Sequence, residues 1–450
     1  MIRLTRRGAL ILAAGLPLAG RALAPLPARA QTGPLRIEIT EGVMEPLALA
    51  IPPFLDLGGA AEHVAALRAL VTADLTGTGL FSALPEARLA AAPAGPDAAP
   101  AWQEWRAADA NALIVGAARM EGGRLRLRFR LYDIYAAQPL GDGIEFDALP
   151  EAWRRLGHKL ADQVYARLTG EAPYFDSRIA FVAESGPRTR RVKRIAMMDY
   201  DGANVRFLTD GGDLVLSPRF SPDGTRIAFV TFAGGAPRIA VTGLGGDEPP
   251  AILPAPPGSM AFAPRFSPDG RWLFYSQEKA GDTDIWQMDA AGGGLARPVI
   301  AGHGIDTAPG LSPDGRRLVF ESDRSGTPQL YVAPLDGSAE PERISFGEGR
   351  YGTPAWSPKG DVIAFTRRRG ELYHIGTMAP DGSDERVLTE SPHDEGPSWA
   401  PNGRVVVFTR QEPGGNGRAR LHAVDIVGRN MRPVELMEAA SDPGWGPLRP

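Results

Sequence analysis

The chain has 450 residues, no cysteine, 54 glycines, 42 prolines and a formal net charge of −4. That length is enough for two domains and a sizeable core. The lack of cysteine excludes disulfides and an acylated thiol, and the mildly acidic balance argues against nucleic-acid binding.

The first thirty residues read as a secretory signal peptide, residues 1–30. Arg3, Arg6 and Arg7 form a basic start, residues 8–18 are small and apolar, and Ala28-Arg29-Ala30 gives a cleavage site before Gln31. The string Thr5-Arg6-Arg7-Gly8-Ala9-Leu10 also fits a twin-arginine signal, so both export routes stay open. Removing the five arginines of this segment takes the net charge from −4 to −9. No later run of about 18 apolar residues occurs, so no membrane span is expected.

Residues 35–40 (LRIEIT) alternate apolar and polar, a strand pattern. Residues 46–57 read as a buried strand interrupted by Pro52-Pro53. Residues 62–75 carry Val64, Leu67, Leu70, Val71 and Leu75 at helical spacing, and Gly77-Thr78-Gly79 stops the helix. A Pro/Ala loop covers residues 91–100, and a short helix is expected over 102–110. Residues 112–120 and 124–132 form a hairpin, with Arg124, Arg126, Arg128 and Arg130 on a solvated face. Residues 150–168 make a helix with Trp153, Leu156, Leu160, Val164 and Leu168 on one side. Residues 35–170 are thus a small mixed α/β domain, and residues 171–177 a linker.

From residue 178 a phrase repeats. Pro218–Gly224 and Pro264–Gly270 read PRFSPDG, Pro309–Gly315 reads PGLSPDG, Pro354–Gly360 reads PAWSPKG and Pro397–Gly403 reads PSWAPNG. A truncated copy, PGWGP, closes the chain at Pro443–Pro447. The column Ser221, Ser267, Ser312, Ser357, Ala400 and Gly446 advances in steps of 46, 45, 45, 43 and 46. A period of about 45 residues with four strands per unit is the signature of a propeller blade. The phrase itself is turn chemistry: Pro presets φ, Asp bonds its own backbone and Gly accommodates the end of the turn. Six second-strand runs stand against five full phrases, so the stump at Pro443–Pro447 should supply the missing inner strand. Residues 178–450 are therefore expected to be a six-bladed β-propeller of four-stranded antiparallel blades, closed by the C-terminal strand.

The motifs of catalysis are missing. No G-x-S-x-G string occurs, and the nearest approaches, GLSPD and GPSWA, are repeat turns. His63, His158, His303, His374, His393 and His422 show no ligand spacing. No catalytic residue, metal or cofactor is assigned. Carboxylates from separate blades need not converge on one atom, so no cation site is assigned either. A non-enzymatic binding protein is the first reading. A peptidase-accessory propeller and a ligand-binding propeller are the alternatives.

Several phrases together resemble the TolB family of the bacterial Tol–Pal envelope system. They are residues 35–42 (LRIEITEG), 71–81 (VTADLTGTGLF), 112–116 (ALIVG), 165–170 (YARLTG), 177–182 (SRIAFV) and 198–204 (MDYDGAN), with the repeated SPDG. The resemblance implies a periplasmic, monomeric adaptor with no transmembrane segment. It would be held to the envelope through its partners and serve outer-membrane integrity and constriction at division. It implies that the first mature residues engage the inner-membrane-anchored TolA. Here these are Gln31, Thr32, Gly33, Pro34, Leu35, Arg36, Ile37, Glu38, Ile39, Thr40, Glu41, Gly42 and Val43. The alternation of Leu35, Ile37 and Ile39 suits either strand addition to a partner's sheet edge or an ordinary first strand. It further implies that the peptidoglycan-associated lipoprotein Pal binds the loops ahead of each phrase, at one mouth of the channel. Those loops carry Asp213, His303, Asp306, Thr307, Arg350, His393, Asp394, Glu395 and Asp442, while Met260-Ala261-Phe262 departs from the polar loop the family has there.

Overall fold

The structure is a computed structural model of the chain. It describes Leu35 and residues 45–245, 248–302, 304–413 and 417–450. The expected signal peptide, residues 1–30, lies outside the described residues, as does the expected partner segment Gln31–Val43 except Leu35.

The N-terminal domain is built on a seven-stranded mixed sheet. Its centre is the in-register hairpin Ala112–Glu121 with Arg124–Asp133. Leu47–Ala50 runs parallel beside Ala112–Glu121, and Phe81–Ala83 runs parallel beyond it at the sheet edge. The segment read as one interrupted strand is in fact two short ones, Leu47–Ala50 and Leu55–Asp56. The adjacent prolines 52 and 53 break the run, since neither can donate to a ladder. Phe81–Ala83 and Gln138–Pro139 are strands that carry too few residues to show a period, and Ile144–Ala148, which does alternate apolar and polar, is a further strand.

Three helices cover the sheet: α1 (Ala61–Thr76), α2 (Trp102–Ala107) and α3 (Trp153–Thr169). On one face, Leu67, Val71 and Leu75 of α1 meet Leu156, Leu160, Val164 and Leu168 of α3. Both sets rest on Leu125, Leu127, Phe129 and Leu131 of the hairpin. The two helices approach closely at Gly157, where an added Cβ would lie 2.7 Å from Leu70 Cδ2. On the other face, the buried Trp105 of α2 packs with Leu113, Val115, Tyr132 and Ile134. The arginine row of the hairpin faces water and pairs with Asp97, Glu121, Glu145 and Asp147.

Six four-stranded antiparallel sheets come next in the chain. Blade one takes its inner strand, Ala439–Leu448, from the far end of the chain and pairs it with Ser177–Ser185. The inner strands of blades two to six are Val215–Phe220, Met260–Phe266, Asp306–Leu311, Arg350–Trp356 and Asp394–Trp399. Each inner strand touches the next, so the six form a ring about a central channel.

The repeated phrase forms the turn at the foot of the inner strands of blades two to six. In blade two, Ser221 Oγ donates to Asp223 Oδ1 at 2.5 Å and accepts the N–H of Arg226 at 2.9 Å, and the Gly224 N–H closes on Ser221 O. Gly224 sits at φ 68°, a conformation few other residues adopt. Blades three and four repeat the geometry through Ser267–Asp269 and Ser312–Asp314. The Ser221 hydroxyl, followed by the Thr225 N–H, holds the Asp223 carboxyl below its ordinary range. The serine and aspartate of the phrase are therefore occupied in shaping a turn.

A candidate docking rim at the channel mouth

The N-terminal domain sits on the side of the propeller that bears these turns. Lys359, in the phrase of blade five, bonds Glu171 at 2.6 Å. Asn430 Nδ2 donates to Gly77 O at 2.7 Å. Asp176 in the linker gathers Arg155, Lys159 and Arg449. The opposite mouth, where the inner strands begin, carries none of these contacts.

That mouth is shaped by a bulge repeated six times. The residue before each channel proline is left-handed: Ser217, Ala263, Ala308, Thr353, Gly396 and Asp442, with φ between 46° and 68°. Five of the six are not glycine, and each such residue costs about 1 kcal/mol. The register of every inner strand shifts at this point.

Most of these bulges are held by a side chain on the second strand of the preceding blade. Ser276 Oγ accepts the Ala308 N–H at 3.0 Å, Thr366 Oγ1 accepts the Gly396 N–H at 3.0 Å, and Thr409 Oγ1 accepts the Asp442 N–H at 3.0 Å. Glu321 takes the Thr353 N–H in the same way. Blades one and two have Val182 and Val230 at this position, and neither side chain can accept. Asp442 compensates in one case, taking the Ser217 N–H on Oδ2 at 3.2 Å. These four clamp residues were missed in the sequence. Their signal is nonetheless present: each stands nine positions after the column of Ser267, Ser312, Ser357 and Ala400.

The expected rim residues fall into two groups. Asp306 and Asp394 are buried at 1% and 0% exposure. Arg324 Nη2 reaches both oxygens of Asp306 at 2.9 Å, and Arg410 forks onto Asp394 at 2.7 and 2.8 Å. Neither carboxylate is open to a partner. Thr307 is half-buried and shares a hydrogen bond with Ser276 at 3.0 Å. Asp213, Arg350, His393 and Glu395 are exposed. Glu395 opens into the mouth, yet crowding there and the nearby Asp442 carboxylate push its pKa above the ordinary range. His303 lies outside the described residues.

At the edge of the N-terminal domain, Leu35 packs partly buried against the helix–sheet core. It is the one described residue of the expected partner segment.

A second cluster, also missed in the sequence, lies between the domains. Asp74 of α1 accepts from Tyr200 Oη at 2.6 Å and meets His158 Nδ1 of α3 at 2.7 Å. His158 is fully buried, and its Nε2 lies 3.9 Å from Asp201, which also pairs with Arg154. Burial alone would push His158 down, but Asp74, together with Asp201 and Asp199, holds the imidazole above its ordinary value. Asp74, His158 and Asp201 could supply three donors to a metal. Nδ1 is already taken by Asp74, however, and Nε2 at 3.9 Å from Asp201 is beyond hydrogen-bond reach, so the arrangement is a tyrosine–carboxylate–imidazole relay between two domains.

Comparison with known proteins agrees with this architecture. The family model of the TolB amino-terminal domain matches residues 35–140, and that of the TolB beta propeller domain matches residues 165–449. The chain belongs to the TolB family. The Tol-Pal system protein TolB of Dinoroseobacter shibae is 52% identical over 428 residues, 95% of this chain and 96% of that one. Its counterpart in Ruegeria sp. is 52% identical over 422 residues, 94% and 95% of the two chains. The crystal structure of TolB from Acinetobacter baumannii superposes with a TM-score of 0.76 at 27% identity, covering 92% of this chain and all of that one. These relatives are named as proteins of the Tol–Pal system. No helix among the described residues is long and apolar enough to cross a membrane.

Proposed function

We propose that the chain is a non-enzymatic periplasmic adaptor that joins the lipoprotein Pal to the inner-membrane-anchored TolA. In this reading it serves outer-membrane integrity and envelope constriction during division. The observation that carries it is the open mouth of the propeller. The turn side is covered by the N-terminal domain, while the opposite mouth presents Asp213, Thr307, Arg350, His393, Glu395 and Asp442 around the channel. Pal docks on that mouth, and residues Gln31–Val43 engage TolA. Asp306 and Asp394 contribute by fixing the inner strands, not by touching the partner. The relay of Asp74, His158 and Tyr200 is the physical link through which the two binding events are coupled.

The test is calorimetric binding of purified Pal and TolA domains to the mature chain. Deleting residues 31–43 should abolish TolA binding and leave Pal binding intact, and Glu395→Ala with His393→Ala should weaken Pal alone. Failure of the intact chain to bind Pal, or measurable peptidase turnover, would overturn the adaptor reading.

A further inference from the structure

Just after each channel proline, the inner strands carry Arg219, Arg265, Gly310, Ala355, Ser398 and Gly444. Two arginines thus stand at one level on adjacent blades, and the other four positions of that level carry small residues. Arg219 turns its Nη1 onto the proline carbonyls that edge the channel, 2.7 Å from Pro218 O and 3.1 Å from Pro443 O. Arg265 Nη1 does the same, 2.9 Å from Pro264 O. Each guanidinium keeps further N–H donors beyond these bonds.

Neither arginine has a carboxylate within ion-pair distance among the described residues. Asp442 is the one acid among them whose field reaches Arg219, and it already accepts the Ser217 N–H. The charge that reaches Arg265 is the like charge of Arg219. Burial pushes Arg219 down to about 10, and burial and Arg219 together take Arg265 well below the ordinary guanidinium value. Arg219 and Arg265 are both part-buried at the channel wall, and a half-buried pair of cations without a counter-charge is unfavourable, a cost that an anion bonding to both reduces. Guanidinium forks suit tetrahedral oxyanions, which they bind through paired, charge-assisted hydrogen bonds.

We propose that the channel binds a small oxyanion of the phosphate or sulfate type between Arg219 and Arg265. Across the ring, Ala355 and Ser398 are small, and Gly310 and Gly444 flank the pair without a side chain.

Inorganic phosphate is the probe, titrated into the mature chain by calorimetry and by thermal melts, with sodium chloride holding ionic strength constant. One phosphate per chain should bind and raise Tm. Arg265→Gln should weaken binding at least about tenfold, and Arg219→Gln with Arg265→Gln should abolish it. Arg265→Gln removes a single carbonyl contact, so it remains testable if the double variant does not fold. The proposal fails if the intact chain gives no heat up to about 10 mM phosphate, if chloride raises Tm equally, or if either variant binds phosphate as the intact chain does.

Discussion

Arg410 grips Asp394 with two parallel N–H donors, Nε at 2.7 Å and Nη2 at 2.8 Å, beneath a surface that leaves the carboxylate wholly buried. Removing the acid strands the arginine. Asp394→Ala should therefore cost about 3 kcal/mol in urea denaturation, whereas Asp213→Ala, at an exposed position of the same mouth, should cost less than about 0.5 kcal/mol. Asp306→Ala should behave like Asp394→Ala, since Arg324 holds it in the same way.

The ring is fastened by Trp445, whose Nε1–H donates to Ser177 Oγ at 2.9 Å across 268 residues of chain. Trp445→Ala should lower stability by about 3 kcal/mol. Truncation after residue 438 should be far worse, because it bares the edge of Ser177–Ser185. Size-exclusion chromatography of the truncated chain should show aggregates.

His158 gives stability a pH dependence of known sign. Its folded pKa is raised above 6.5. Its contribution is complete below pH 6.5 and is lost as pH rises through the folded value. The groups facing it are Asp74, Asp199, Asp201, Tyr200 and Arg154. Thermal melts of the chain and of His158→Gln should differ most near pH 6 and converge toward pH 9.

Asp162 in α3 accepts three consecutive linker N–H groups, those of Tyr174, Phe175 and Asp176, at 3.1, 2.8 and 3.0 Å. Asp162→Ala leaves all three buried without that acceptor. A loss of about 2–3 kcal/mol is expected in chemical denaturation, with faster hydrogen exchange at these three amides.

The sequence carried the propeller because its signal is repeated. Five copies of one turn at a near-constant spacing cannot be mistaken for chance, and the stump around Trp445 could be matched to the unpaired run at Ser177. It carried α1 and α3 because sixteen and seventeen residues span several helical turns. The two-residue strands were invisible because they have no period. The rim was harder for a different reason. Sequence position alone places Asp394 and Glu395 side by side, but successive residues of a strand face opposite ways. One is therefore buried on Arg410 and the other opens into the mouth. The relay of Asp74, His158 and Tyr200 was hidden because its members come from three elements with no shared spacing.

The closing strand also sets a timetable. Ser177–Ser185 is synthesised early, but its inner partner comes from the last residues of the chain. At a typical 5–20 residues per second, the gap of 268 residues leaves that edge unpaired for on the order of tens of seconds. No nascent chain that lacks Ala439–Leu448 can complete blade one. The propeller therefore closes only once Ala439–Leu448 has been made, and whatever shields a β-edge in that interval governs how much of the protein reaches its folded state.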